Sequence, residues 1–167
     1  VMKGLKLQSK KKPTRIEIIN NYISGSKLVI NITQNATNNP TAKNFDVAER
    51  IYTEWVFGIY NFIKGFSEKK SKAFLESADS VRTLLDLLPE RSENTRPNPI
   101  SCYENDDGVL FVDETGVQTL RNITTSVKSK VLLLEQIKLE ITGGILSDKD
   151  TKKTTIIIHE NGKIQTS

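Results

Sequence analysis

The feature that most constrains this fold is an unusually apolar segment around Trp55, the only tryptophan in the chain. Apolar residues recur there at spacings of three and four, which predicts an α-helix with one apolar stripe: Val47, Ile51, Trp55, Ile59, Phe62 and Phe66. Six further apolar residues widen that stripe: Ala48, Tyr52, Val56, Phe57, Tyr60 and Ile63. Such a helix must be covered on more than one side, and we expect the rest of the chain to supply that cover.

Two signals predict where this helix starts. Asn39 can accept a hydrogen bond from an amide of the first turn, and Pro40 would lose no needed donor there. Asp46 and Glu49 form a second start of the capping-box type. Gly65 predicts the end of the helix, because glycine readily adopts the left-handed conformation that closes many helices.

A second helix is predicted from Ser67 or Ser71 to Leu88, where Pro89 prevents continuation. Its apolar and charged residues separate onto opposite sides, which is typical of a helix at a protein surface. The short link through Gly65 favours an antiparallel pair, in which the second helix covers part of the first.

The segment before the helices is predicted to be a β-hairpin over residues 15–33. Ile16 and Ile18 alternate with polar residues, Gly25 supplies a turn, and apolar residues alternate again on the returning strand. We expect the apolar side of this hairpin to cover the Trp55 helix.

The second half of the chain repeats the theme of hairpin and helix. Residues 100–104 and 109–112 predict a hairpin that turns at Gly108, and Asp113 or Thr115 can cap a helix that runs to about residue 134. From residue 136 the apolar period changes to two, which predicts a strand over residues 137–141. A further strand over residues 154–159 and the pair Asn161-Gly162 predict a closing hairpin.

These elements predict an α+β protein with a flexible basic tail (1–13), a subdomain with an N-terminal β-hairpin and an antiparallel helical pair (14–90), a linker (91–99) and a subdomain with a β-hairpin, a helix and a small antiparallel β-meander (100–167). The linker has two prolines and none of the larger apolar residues. The last strand meets the chain end almost at once, which suggests a piece of a longer protein.

Composition predicts a soluble cytoplasmic protein. A chain of 167 residues can bury a core without disulfides or a metal, and the single cysteine, Cys102, favours a reducing compartment. No apolar run approaches the roughly 20 residues of a membrane span, and the first residues do not resemble a signal peptide. We therefore expect no membrane partner.

The positive charge is concentrated at the start of the chain. Residues 1–44 contain eight Lys and Arg and one acid, whereas the remaining residues contain sixteen Lys and Arg and nineteen acids. The candidate nucleic-acid contacts are Lys3, Lys6, Lys10, Lys11, Lys12 and Arg15. Such a tail would bind phosphates without sequence specificity and would weaken with salt, so a nucleic-acid-binding accessory protein is the alternative hypothesis. A solvated terminus is the simpler interpretation, because no aromatic residue accompanies the lysines.

No motif predicts catalysis or a cofactor. The single histidine, His159, and Cys102 lie on separate predicted strands, and one of each cannot complete a structural zinc site. The acids around residues 106–114 are more simply explained as turn formers and helix caps than as ligands of a divalent cation. We find no glycine-rich phosphate loop. The sequence therefore predicts neither an enzyme nor a small-molecule substrate.

The functional hypothesis is a non-catalytic protein–protein interaction or assembly module that binds a protein partner or associates with itself. It rests on the excess apolar surface of the Trp55 helix, whose candidate interface residues are Tyr52, Trp55, Val56, Ile59, Tyr60 and Ile63. The equally weighted alternative is that the N-terminal hairpin and the second helix cover this surface completely. A composition rich in Asn, Lys, Ile and Thr is associated with AT-rich genomes and suggests a microbial or mobile-element protein.

Overall fold

The computed structural model describes residues 12–77 and 100–147, and the backbone of residues 156–159 and 163–166. Its elements are α1 (Arg15–Asn38), α2 (Ala42–Lys64), α3 (Glu68–Glu76), β1 (Cys102–Glu104), β2 (Leu110–Val112), α4 (Glu114–Thr142), β3 (Ile156–His159) and β4 (Lys163–Thr166). The strands form two separate antiparallel pairs, β1 with β2 and β3 with β4. The predicted α+β class is therefore wrong, because the described fold is mainly helical.

The predicted N-terminal hairpin is wrong, since residues 15–33 belong to helix α1. Thr14 and Glu17 form a capping box at its start: the Glu17 amide donates to Thr14 Oγ1 (3.2 Å) and the Thr14 amide donates to Glu17 Oε1 (2.9 Å). The buried side chains of α1 follow helical spacing: Ile19, Ser26, Val29, Thr33 and Ala36. Ser26 and Thr33 are polar, so a search for periodic apolar residues alone misses this helical pattern.

Helix α2 confirms the prediction of a helix around Trp55 that ends before Gly65, but its start and the conformation of Gly65 differ from those predicted. The Thr41 hydroxyl accepts a hydrogen bond from the Asn44 amide (3.0 Å), so the helix cap lies between the two predicted starts. Gly65 follows the last helical residue in the right-handed conformation, with φ at −64°, so the predicted left-handed Gly65 is wrong.

Three helices cover the Trp55 side of α2. The Trp55 indole N–H donates to the Tyr22 carbonyl oxygen in α1 (3.0 Å), and the Trp55 ring centroid lies 6.3 Å from that of Phe74 in α3. The Tyr52 hydroxyl shares a 2.8 Å hydrogen bond with the Ser126 hydroxyl in α4. Trp55 is only 7% exposed, which confirms that this helix is covered on more than one side.

Helix α3 begins after Ser67, whose hydroxyl accepts a hydrogen bond from the Lys70 amide (3.1 Å), in agreement with one of the two predicted starts. It ends at Glu76. Ser77 follows with an extended backbone (φ −66°, ψ 128°), so the single uninterrupted helix predicted to run to Leu88 is wrong at Ser77. Residues 78–88 of that prediction lie outside the described residues.

The end of α3 is held by a fully buried lysine from α4. Lys130 Nζ donates to the Phe74 carbonyl oxygen (2.8 Å), the Ser77 carbonyl oxygen (2.7 Å) and the Ser77 hydroxyl (3.0 Å). It also lies 5.0 Å from the centroid of the Phe74 ring. Because the carbonyl end of a helix carries partial negative charge, an ammonium group is well matched to this position.

Helix α4 confirms the helix predicted after Asp113, but it continues to Thr142, so the strand predicted over residues 137–141 and the β-meander are wrong. Ile137 and Ile141 are buried, whereas Leu139 is 70% exposed. In a strand, Ile137, Leu139 and Ile141 would all point to the same side and would be buried together. Because Leu139 is exposed, the segment follows helical spacing. Strands β3 and β4 form the predicted closing hairpin, whose Asn161-Gly162 turn lies outside the described residues.

The chain divides into two compact units, Tyr22–Glu135, and Val1–Asn21 with Gln136–Ser167. In the first unit, apolar residues from α1, α2, β2 and α4 pack as one cluster: Ala36, Phe45, Ala48, Val112 and Leu120, with Ile32, Ile100 and Val117 against them. Residues from both sides of the predicted linker thus share one core, while residues 91–99 themselves lie outside the described part of the chain. In the second unit, Arg15 Nη1 donates to the Ser147 carbonyl oxygen (2.8 Å).

Candidate functional site

The candidate site is the hairpin surface, which we define as Tyr103, Glu104, Val109, Leu110 and Phe111. The pairing of β1 with β2 places Tyr103 opposite Phe111 and Glu104 opposite Leu110. The two aromatic rings stack with their centroids 5.9 Å apart and their planes 23° from parallel. Tyr103 is 55% exposed, Leu110 49% and Val109 41%.

The turn of the hairpin is built from its own side chains. Asn105 Oδ1 accepts hydrogen bonds from the amides of Asp107 (3.0 Å) and Val109 (2.9 Å). Gly108 has φ at +80°, a conformation that glycine adopts readily, and it lies in the turn as predicted. The turn therefore holds the two strands in a single register.

The base of the hairpin is fixed to the helical core. The Val112 amide donates to the Pro40 carbonyl oxygen (2.9 Å), and the Val112 side chain is buried. The Asp113 carboxylate accepts hydrogen bonds from the Gly116 amide through Oδ1 (3.0 Å) and from the Ser101 amide through Oδ2 (3.1 Å). Asp113 thereby caps α4 and ties the start of β1 to it, so the hairpin surface stands on a rigid support.

Gly116 sets the distance between the hairpin and α4. A Cβ atom at Gly116 would lie 2.6 Å from Val112 Cβ and 2.7 Å from Val112 Cγ2. We expect Gly116→Ala to lower the free energy of unfolding by about 1–3 kcal/mol, because the crowded atoms are close to the backbone and cannot rotate away. Urea denaturation measures this difference.

Gly25→Ala is the matched control, since its new Cβ would meet only Trp55 Cδ1 at 4.0 Å. That variant should be more stable than the natural protein by about 0.5–1 kcal/mol, because glycine inside a helix is unfavourable. Equal stability of the Gly116→Ala variant and the natural protein would contradict the close contact between α4 and β2.

The charges around the hairpin surface are negative. Residues 100–120 contain five acids and no Lys or Arg: Glu104, Asp106, Asp107, Asp113 and Glu114. Arg121, the next basic residue along the chain, lies 3.9 Å from a Glu114 oxygen in an exposed ion pair. The segment that carries the hairpin surface therefore has a net negative charge.

The predicted partner interface on α2 lies in the core of the chain itself. Tyr52, Trp55, Val56, Ile59 and Ile63 are buried, and only Tyr60 of the predicted set is partly exposed. Burial raises the pKa of the Tyr52 phenol from 10.0 to about 12, while the hydrogen bond with Ser126 acts in the opposite direction. These residues hold the fold together, and a partner cannot reach them in this structure.

The predicted nucleic-acid contacts are described only in part. Lys12 is exposed and Arg15 is partly buried in the first turn of α1, where it makes the hydrogen bond with Ser147. Lys3, Lys6, Lys10 and Lys11 lie outside the described residues. Nucleic-acid binding by the tail stays a prediction.

A further concave surface in the described part of the chain lies between two helices. A cleft of about 380 Å³ between α1 and α4 is lined by Gln34, Thr37, Asn38, Arg121 and Thr124. In residues 12–77 and 100–147, no group of three or more His, Cys, Asp or Glu side chains is placed to hold a metal ion. Cys102 is an exposed free thiol on β1 in one compact unit, and His159 belongs to β3 in the other.

Comparison with protein-family models, with curated proteins and with solved structures finds no significant match to this chain. No helix in the described part of the chain is long and apolar enough to cross a membrane.

The hairpin was predicted from the sequence, but its exposed apolar surface was not. Two short strands cannot bury both of their faces, so exposed apolar residues were to be expected there. The signal was the combination of Tyr103, Leu110 and Phe111 with five acids and no Lys or Arg over residues 100–120.

Proposed function

We propose that this protein is a non-catalytic protein–protein interaction module of the cytoplasm, and that the hairpin surface contacts its partner. The observation that carries the proposal is the exposure of Tyr103, Val109 and Leu110 on a hairpin whose turn and base are both fixed by hydrogen bonds. Exposed aromatic and aliphatic side chains on a rigid frame favour binding, because little conformational freedom is lost on contact.

The chemistry of the surrounding residues supports binding over catalysis. The Asp113 carboxylate is occupied in the cap of α4, and the Asn105 side chain is occupied in the turn. Side chains that serve as caps and turn formers position the backbone and do not transfer protons. The partner in this proposal is a protein, which includes a second copy of this chain.

A peptide-display selection against the folded protein tests the proposal. Peptides enriched on the natural protein should bind the double variant Tyr103→Ser/Leu110→Ser at least about tenfold more weakly, a difference of about 1.4 kcal/mol. Sedimentation velocity over a range of concentrations measures self-association of the same proteins, which should also decrease in the double variant if the partner is a second copy.

Leu132→Ser is the control, because Leu132 is an equally apolar side chain that is 71% exposed on α4. This variant should keep both the enriched peptides and the natural sedimentation behaviour. If the enriched peptides bind the double variant as tightly as the natural protein, the hairpin surface is not the binding surface and the proposal is wrong.

A further inference from the structure

The outer edge of β1 is open in the described part of the chain. Strand β2 has neighbours on both sides: β1 on one side, and on the other the segment at Pro40 and Thr41, which forms an isolated bridge with Phe111. Strand β1 pairs with β2 alone among the described strands. An unpaired strand edge is a template for another extended chain.

The hydrogen bonds of the hairpin show which groups face that edge. The Asn105 amide donates to the Val109 carbonyl oxygen (2.9 Å), and the Asp113 amide donates to the Ser101 carbonyl oxygen (2.9 Å). In an antiparallel pair, residues alternate between bonding inward and bonding outward, so the amide and carbonyl groups of Cys102 and Glu104 point away from β2.

The other strand supports this assignment. Val112 is the partner of Cys102 in the register, and its amide points away from β1 to the Pro40 carbonyl oxygen. The open edge therefore presents two amides and two carbonyls, those of Cys102 and Glu104, to whatever lies beside β1.

We propose that the open edge of β1 binds an extended basic peptide segment of a partner protein, which adds to the hairpin as a third strand. This inference rests on the proposed function and identifies the class of partner. Backbone hydrogen bonds to Cys102 and Glu104 would supply the pairing, as in other cases of strand addition. The side chains of β1 would then select the sequence of the segment.

Cross-strand neighbours determine the pattern of the bound segment. Successive residues of β1 point to opposite faces, so a residue beside Glu104 lies on one face and a residue beside Tyr103 lies on the other. Opposite charges and apolar pairs are the favourable cross-strand neighbours. The bound segment therefore alternates lysine or arginine, next to Glu104, with an apolar residue next to Tyr103.

The negative charge of the hairpin segment favours a partner segment that is positively charged. Five acids and no basic residue lie within residues 100–120, so a basic segment is attracted and an acidic segment or a nucleic acid is repelled. This complementarity distinguishes the open edge of β1 from a general apolar surface, which would accept a neutral peptide equally well.

Nuclear magnetic resonance titration of the full chain with a short amidated peptide that alternates lysine and valine tests this inference. Two matched peptides are the comparison: one with glutamate in place of lysine, and one with methyl groups on the backbone nitrogens that would face β1. We expect binding at least about tenfold tighter for the basic peptide than for either comparison peptide. Exchange of the Cys102 and Glu104 amides with solvent should slow in the complex, while the amide of Ser126 in α4 should not change.

Glu104→Lys should strongly reduce the preference for basic over acidic peptide, because the cross-strand neighbour of the peptide lysine becomes positive while four acids remain in residues 100–120. Glu54→Lys, the same charge change at an exposed position of α2, should preserve the preference. Equal binding of the methylated peptide would overturn strand addition but leave the hairpin surface as an interaction site. If the basic peptide shifts no resonance of the hairpin residues, the inference is also overturned. In both cases the display selection decides separately whether the proposed function stands.

Discussion

Replacing Lys130 with methionine is expected to lower the free energy of unfolding by about 3 kcal/mol, because the partly buried Ser77 carbonyl and hydroxyl lose the ammonium donor and the buried Phe74 carbonyl keeps only the Ser77 hydroxyl. In the natural protein, Lys130 Nζ lies 2.7–3.0 Å from acceptors of Phe74 and Ser77 at the end of α3. Methionine keeps most of the apolar stem, so its own packing changes little. The natural protein must remove water from the Lys130 ammonium group when it folds, which is unfavourable. Removing this charge therefore offsets part of the lost stability.

Urea denaturation measures the change in stability, and the fluorescence of Trp55 adds a local measurement. Because the Trp55 ring lies 6.3 Å from that of Phe74, loosening of α3 should shift the emission of the folded variant to longer wavelength. Lys128→Met is the control, since Lys128 is exposed on the same helix and should change stability by no more than about 0.5 kcal/mol. If both variants match the natural protein, Lys130 does not hold the end of α3.

The error in α1 has an identifiable physical cause. Its sequence is rich in β-branched residues, which are favoured in strands and which alternate well enough to resemble a hairpin. The helix nevertheless buries Ser26 and Thr33, whose hydroxyls donate to the carbonyls of Ile23 (2.6 Å) and Val29 (2.7 Å) within the same helix. Hydroxyls that bond to their own helix can occupy a core position, so polar residues interrupt the apolar stripe without ending the helix. The capping box at Thr14 was readable from the sequence.

The wrong strand prediction in α4 also involves a polar residue at a core position, Lys130. One row of the buried positions in α4 alternates spacings of three and four: Leu120, Ile123, Val127, Lys130, Leu134, Ile137 and Ile141. Lys130 occupies one of these positions because acceptors from α3 meet it there, and this long-range contact cannot be read from the sequence. Leu139 also alternates with Ile137 and Ile141, so these three residues fitted a period of two as well as a helix.

The helix around Trp55 and the hairpin with Gly108 were predictable because their signals are local. Periodic apolar residues define α2, and a turn that needs positive φ defines the β1–β2 connection. Which apolar residues remain exposed depends instead on how completely distant elements cover them. Tyr52 and Trp55 were expected at an interface and are covered, whereas Tyr103 and Leu110 were overlooked and are exposed.

Tyr52 should make the protein less stable at high pH than a variant that lacks its phenol. The pKa of Tyr52 is raised from 10.0 to about 12 in the folded state, first because burial penalises the phenolate. Below pH 10 both the folded and the unfolded chain keep this proton, so Tyr52 adds no pH dependence there. As pH rises from 10 to 12 the unfolded chain loses the proton first, and the stability from this group falls.

The expected loss is about 3 kcal/mol relative to Tyr52→Phe over that range, since each pKa unit corresponds to about 1.4 kcal/mol. At neutral pH the order is reversed: Tyr52→Phe should be less stable by about 1 kcal/mol, because the Ser126 hydroxyl loses its partner. Urea denaturation of both proteins at neutral pH and at several values above pH 10 measures the difference, in which the titration of lysines and of the other tyrosines cancels. A stability difference that does not change with pH would mean that Tyr52 ionises as easily in the folded chain as in the unfolded one, and that its contact with α4 is open to water.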